Sequence, residues 1–188
     1  GIDMRGAGRL VLCESTLWDN YAQSFGGGLF RQGTGDDLTA IYGVSFQGNY
    51  VIPEHTAHSL GGALFLQGTH SVIEATTFYG NAADAGGAAY IGPSTRTLLL
   101  NSTFSQNAAE RGGGGAVLFE DRVTPLPSAE VASCTFAVNQ TTSDTGSGGA
   151  IAGGGPGIRL RNNLFVANRS RAVLNGQTCS RPMESVGP

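Results

Sequence analysis

Lysine is missing altogether: all 11 basic residues are arginine, set against 14 acidic residues for a formal net charge of −3. With no basic run either, the chain lacks the electrostatic footprint of a nucleic-acid-binding protein. Apolar runs extend only a few residues, far short of the ~18–20 that a membrane-spanning helix needs, so no membrane span is expected. Cysteine is scarce; the three residues form no C-x-x-C pair and have no histidine neighbour, which leaves no zinc motif. Also absent is a capped i, i+3, i+4, i+7 pattern, so helical repeats do not fit.

What the chain has in excess is glycine, 30 of 188 residues, about twice the usual share of ~7%. Glycine and proline together stay below the ~25–30% typical of disordered low-complexity chains, and 40% of residues are hydrophobic. An ordered, turn-rich single domain with a continuous core follows.

A repeat organises this material. A large apolar residue, two variable residues and an asparagine recur as Leu17-x-x-Asn20, Phe46-x-x-Asn49, Phe78-x-x-Asn81, Phe104-x-x-Asn107, Phe136-x-x-Asn139 and Phe165-x-x-Asn168. A small or hydroxyl residue precedes the first five, and Leu164 the sixth. Successive asparagines lie 29, 32, 26, 32 and 29 positions apart. After each asparagine except the last comes a second signature: Gly27-Gly28-Leu29, Gly61-Gly62-Ala63, Gly86-Gly87-Ala88, Gly114-Gly115-Ala116 and Gly148-Gly149-Ala150. A third column stands five residues before each aromatic position: Leu12, Ile41, Ile73, Leu99, Val131 and Leu160.

Short apolar strands broken by Gly, Asn and Ser, with no helix in a ~26–32-residue period, predict one coil of two or three strands per repeat. The fold class is therefore all-β, a single-stranded right-handed parallel β-helix of about six coils, since parallel crossovers overwhelmingly take that hand. Six coils at ~4.8 Å give a rod of about 29 Å. The repeat domain spans 1–175, and 176–188 breaks the pattern as a cap or exit segment. Gly1-Ile2-Asp3 reads as the tail of a glycine-glycine strand, so the start is expected to lie within a longer solenoid.

Each column has an expected role. The aliphatic and aromatic columns point inward. Asn20, Asn49, Asn81, Asn107, Asn139 and Asn168 form a structural ladder, their amides bonding from coil to coil and their backbone taking the left-handed conformation at a corner. The glycine pairs turn the chain and let coils approach closely.

The paired F-x-x-N and G-G-A-[ILV] signatures resemble the repeats of polymorphic outer-membrane proteins, shared with many bacterial surface proteins. The resemblance runs from about Leu10 to Asn168. It implies the same β-helix and an extracellular or cell-surface setting in a bacterial envelope. Adhesins, autotransporter passengers and polysaccharide enzymes all use this scaffold, so the resemblance leaves the activity open.

Candidate chemistry lies on the segments that follow each asparagine. These carry Glu54, His55, His58, Asp84, Glu110, Arg111 and Asp144, and are expected to project from one edge of the rod. Carboxylates ~5–9.5 Å apart suit a glycosidase, and a carboxylate cluster beside an arginine would suit Ca²⁺ and a lyase base. The loops differ in length, however, and a solvated polar edge accounts for the same residues. On that reading no residue is catalytic, there is no cofactor, and replacing Glu54, Asp84, Glu110 or Asp144 leaves the fold intact. His55 and His58 lack a third ligand, and His70 is placed alone at a turn.

Trp18, Tyr21, Tyr50 and Tyr79 flank the asparagine corner as candidate binding residues, because exposed aromatics stack on sugars and anchor protein interfaces. The hydroxyl column from Thr16 to Thr135 has no second column beside it, so strand propensity explains it better than ice binding. Cys134 fits a small buried position, and Cys13 lies four coils away, too far for a disulfide. The leading function is a non-catalytic extracellular solenoid presenting a surface for adhesion or assembly, with a protein or glycan partner. The alternatives are a polysaccharide lyase or glycoside hydrolase at the loop edge, and a structural subunit assembled end to end or side by side.

Overall fold

A computed structural model of the chain describes residues 1–52, 58–120, 128–153 and 157–171. Most of its strands are short, and many are ended after a few positions by a glycine or a left-handed residue. The first rung comprises β1 (Ile2–Arg5), β2 (Leu10–Cys13), β3 (Thr16–Trp18) and β4 (Tyr21–Ala22). In the second, β5 (Leu29–Tyr42) runs on continuously before β6 (Ser45–Gln47) and β7 (Tyr50–Val51); the third repeats this with β8 (Leu64–Glu74), β9 (Thr77–Tyr79) and β10 (Ala82–Ala83). The fourth has β11 (Ala89–Ile91), β12 (Arg96–Leu100), β13 (Thr103–Ser105) and β14 (Ala108–Ala109). The fifth follows with β15 (Val117–Phe119), β16 (Ser128–Ala132), β17 (Thr135–Ala137) and β18 (Gln140–Thr141). The sixth closes the described stack with β19 (Ile151–Gly153), β20 (Ile158–Arg161), β21 (Leu164–Val166) and β22 (Arg169–Ser170).

Every rung pairs in parallel with the next, giving one sheet of ten strands and two of six. Six rungs enclose about five full turns and stand about 24 Å from first to last at ~4.8 Å per step. Like stacks on like, as the repeat implies. Leu12, Ile41, Ile73, Leu99, Val131 and Leu160 are in register. Leu17, Phe46, Phe78, Phe104, Phe136 and Phe165 form a second inward column. Its rings stack 4.9, 4.5, 4.9 and 5.0 Å apart from Phe46 to Phe165. Emptying one central ring position, as in Phe104→Ala, would cost roughly 3–5 kcal/mol because the rigid rungs above and below cannot collapse into the cavity.

Three placements differ from the sequence expectations. Leu29 pairs with Leu64, so the structural counterpart of Gly61-Gly62-Ala63 is Gly26-Gly27-Gly28, one residue earlier than the Gly27-Gly28-Leu29 alignment. The left-handed residue at the corner is not the asparagine but the one before it: Asp19, Gly48, Gly80, Gln106, Val138 and Ala167 all have positive φ. A second left-handed column, Glu14, Gly43, Ala75, Asn101, Ser133 and Asn162, turns the chain before each aromatic strand. Finally, His70 lies within β8 rather than at a turn.

The two glycines of each pair do separate jobs. Gly61 supplies a positive φ of 67°. A Cβ on Gly62 would collide with the carbonyl oxygens of Ala82 on its own rung and of Gly87 on the next, so only glycine allows that approach.

Candidate binding surfaces

The corner chemistry begins with the asparagines. Asn49, Asn81, Asn107 and Asn139 are fully buried. Asn49 donates its backbone N–H and its Nδ2–H to Oδ1 of Asn81, at 2.9 and 3.0 Å. A second Nδ2–H bonds the Leu17 carbonyl on the rung below at 2.8 Å. The pattern repeats from Asn20 to Asn168, so each internal amide satisfies two donors and two acceptors within the stack. The preceding left-handed residue aims the side chain inward, while alternate residues of the strands beside the corner face outward.

Aromatics sit on those outward faces. Trp18 on β3 and Tyr79 on β9 share a column with Gln47 between them, and they are 72% and 46% exposed. Tyr21 and Tyr50 pair across β4 and β7, their rings stacked 6.0 Å apart at 21°; Tyr21 is 66% exposed. Rungs one to three thus present four aromatic side chains on both sides of one rigid corner.

The segments after the asparagines do not simply project. Their ends stack in parallel, with bridges linking Phe25, Leu60 and Ala85. They lie beside an outer aromatic column, Phe30, Phe65 and Tyr90, whose neighbouring rings are 4.9 and 4.8 Å apart. All three are buried, packed with Leu60 and Leu118. Burial, with Glu120 beside it, holds the Tyr90 hydroxyl above its ordinary pKa.

Among the edge candidates, Asp84 and Arg111 come together, Oδ1 lying 3.4 Å from Nε. Asp84 is only 2% exposed; its other oxygen accepts the Ser59 N–H at 3.0 Å, and its own N–H donates to the Ser59 hydroxyl at 2.7 Å. It is a clamp between rungs, and the expectation that it can be removed without structural cost is corrected on that ground. Glu110 and Asp144 are exposed, and Asp144 pairs with Arg171 at 3.2 Å. Glu54 and His55 lie outside the described residues, while His58 is exposed.

Residues 1–183 match a family described as the right-handed β-helix region. The chain belongs to that family. Neither curated proteins nor solved structures give a match.

Within this β-helix, the least expected residue is Arg31. It occupies an inward column beside Met4, Leu66, Ile91 and Phe119 and is fully buried. Its Nη atoms donate to the Gly6 and Gly8 carbonyls at 2.8 and 2.7 Å, and Nη2 lies 3.7 Å from Asp37 Oδ2. Asp37 also accepts the N–H groups of Gly8 and Thr34 and the Thr34 hydroxyl proton. These hydrogen bonds, Gly8 first, hold its carboxyl below the usual pKa. The sequence signal was an arginine in an aliphatic column, followed shortly by Asp36-Asp37 between glycine and leucine.

A second corner column also escaped notice as a ladder. Thr76, Ser102 and Cys134 each donate to the carbonyl two residues earlier, and Asn163 accepts the Cys134 N–H at 2.9 Å. Burial raises the Cys134 thiol pKa, making it a poor nucleophile. Cys13 and Cys134 are both free, the first exposed and the second buried. Among the described residues, no group of three or more His, Cys, Asp or Glu is placed to hold a metal ion, and no helix is long and apolar enough to cross a membrane.

Proposed function

We propose that this β-helix is a non-catalytic extracellular solenoid that presents a surface for adhesion or assembly, with a protein or glycan partner. The observation that carries this is the aromatic set around the Asn20–Asn81 corner. Trp18, Tyr21 and Tyr79 are held exposed on rungs tied to their neighbours by parallel backbone pairing and by the asparagine amides. Large aromatic faces in water are costly to maintain unless something covers them, and a rigid base spares the partner the entropy of ordering them. The likeness of the repeat signatures to polymorphic outer-membrane proteins supports a bacterial cell-surface setting.

The enzyme alternative calls for a carboxylate beside Arg111 in an open cleft. Asp84 is beside Arg111, but its burial and its bonds to Ser59 make it a poor base for a sugar ring. The test incubates the chain with acidic and neutral polysaccharides, with and without Ca²⁺, while following reducing ends, unsaturated uronates and retention of the polymer. The expected result is retention without product, weakened in Trp18→Ala and Tyr79→Ala. Turnover that Glu54→Ala, Glu110→Ala, Arg111→Ala or Asp144→Ala eliminates would replace this reading with the enzyme. A surface whose Trp18→Ala/Tyr21→Ala/Tyr79→Ala variant binds every polymer and protein partner as the wild type does would end the adhesion reading.

A further inference from the structure

Three asparagines stand two residues before a hydroxyl, in the N-x-Ser/Thr pattern that asparagine glycosyltransferases read: Asn101-Ser102-Thr103, Asn139-Gln140-Thr141 and Asn168-Arg169-Ser170. The fold treats them differently. Asn139 is fully buried, and its Nδ2 donates to Phe104 O at 3.0 Å and to Asn168 Oδ1 at 2.9 Å, so both amide protons are committed. Thr141 is buried too, its hydroxyl donating to Gly148 O at 3.2 Å. Asn168 is half-buried; its Nδ2 donates to Phe136 O at 2.8 Å, and its Oδ1 takes both bonds from Asn139. The Ser170 hydroxyl donates to Gly146 O at 3.0 Å. Asn101 stands outside this ladder. It lies in the left-handed turn between β12 and β13 with φ of 48°, a conformation asparagine tolerates. Its backbone N–H is tied to Ala132 O at 3.1 Å. Its side chain is exposed, and Nδ2 lies 3.5 Å from Glu74 Oε1, at the outer limit of a hydrogen bond. Thr103, also exposed, follows beyond buried Ser102, so amide and hydroxyl emerge together from one rigid corner.

We propose that Asn101 is a glycan acceptor on the folded solenoid, and that the ladder closes the same motif at Asn139 and Asn168 to modification. The co-reactant is a phosphate-activated sugar presented by an asparagine glycosyltransferase. In the transfer, Nδ2 forms a bond to the anomeric carbon while the bond from that carbon to the donor's phosphate oxygen breaks. The phosphate leaves with the bonding pair, and the amide nitrogen gives one proton to a base of the transferase. The step needs an amide nitrogen open to approach, with the hydroxyl two residues on also within the enzyme's reach. Asn101 and Thr103 meet both demands without disturbing a core contact. At Asn139 two buried hydrogen bonds would first have to break, and the substituted nitrogen would keep one proton for two acceptors. The sugar would also have to be housed among rungs only ~4.8 Å apart.

The experiment incubates the folded chain with UDP-glucose and a soluble asparagine glucosyltransferase of N-x-Ser/Thr specificity, and maps added hexose by mass spectrometry of proteolytic peptides. Synthetic peptides spanning the three motifs, given the same enzyme, show what it accepts when no fold intervenes. All three peptides are expected to be glucosylated. The folded chain is expected to gain one hexose, on Asn101, with Asn139 and Asn168 reacting about tenfold or more slowly. Asn101→Gln and Thr103→Ala, the second of which keeps the amide, should each abolish the gain, and Thr103→Ser, which keeps a hydroxyl, should retain it. Because both side chains are surface-exposed, an unchanged circular dichroism spectrum checks the fold. No hexose on Asn101 in the folded chain, refusal of the Asn101 peptide, Asn139 or Asn168 modified as fast as Asn101, or a gain that survives Asn101→Gln would each overturn the proposal. Refusal of the Asn139 and Asn168 peptides would overturn the protective role of the ladder. Trp18→Ala should leave the modification unchanged, so the acceptor site and the aromatic corner stand or fall separately.

Discussion

The Oδ1 atom of Asn107 accepts two bonds from Asn81, one from its backbone N–H at 3.0 Å and one from its Nδ2–H at 2.9 Å. Asn107 in turn gives its own Nδ2 to Phe78 O and to Asn139 Oδ1. One side chain thus satisfies polar groups on three rungs from a fully buried position.

Asn107→Ala should therefore be among the most damaging single changes in the chain. It orphans buried groups on Asn81 and on Phe78, each worth about 1–3 kcal/mol, for a total loss of about 2–6 kcal/mol. Urea denaturation followed by circular dichroism measures it. A loss under about 0.5 kcal/mol would mean that the amide ladder contributes little.

Val138 makes the opposite case. This β-branched residue has φ of 58° and is 51% exposed, a conformation that L-residues with a branched Cβ resist. Val138→Gly should stabilise the fold by about 0.5–1 kcal/mol despite the extra chain entropy that glycine loses on folding. A lower melting temperature for the variant would refute the strain argument.

Arg31 and Asp37 set an acid limit on stability. The folded carboxyl of Asp37 has a depressed pKa, so its contribution is complete above the unfolded value of about 3.9. It is lost as pH falls through the lower folded value. Asp37→Asn should flatten the acid limb of a stability-versus-pH curve. Arg31→Ala, which leaves a buried cavity and removes the donors to the Gly6 and Gly8 carbonyls, should cost about 3–5 kcal/mol at neutral pH. Identical acid limbs for wild type and Asp37→Asn would show that the carboxylate does not report on this clasp.

The edge carboxylates should divide by burial. Asp84→Ala removes the acceptor of the Ser59 N–H and should cost about 1–3 kcal/mol, whereas Glu110→Ala and Asp144→Ala should stay within about 0.5 kcal/mol. Thermal melts of the three variants side by side decide it; equal effects would place Asp84 with the solvated residues.

Repetition was what made the fold legible. A column of identical residue types at a near-constant spacing can be read without coordinates, because a stack of parallel rungs puts each residue against its own counterpart. The inward phenylalanines, the aliphatic column and the asparagine positions all follow from that translational rule. The rule failed where a residue departs from its column. Arg31 stands where its neighbours are aliphatic, and its meaning depends on carbonyls at Gly6 and Gly8 that no periodicity connects to it.

The same division holds for the surfaces. Composition alone set the absence of lysine and the sparse charge, and the signatures alone set the repeat, the parallel stacking and the aromatic residues near the corner. Only the tertiary structure decided that the left-handed residue precedes each asparagine, that Asp84 is buried while Glu110 is not, and that Asn101 is exposed while Asn139 is locked into the ladder. Those outcomes depend on which way a side chain faces and what lies one rung away, and loops of unequal length shift both by a residue or more. Spacing along the chain carries the core because the core repeats; charge pairing and exposure are set by neighbours ~4.8 Å away through space but some thirty residues away in sequence.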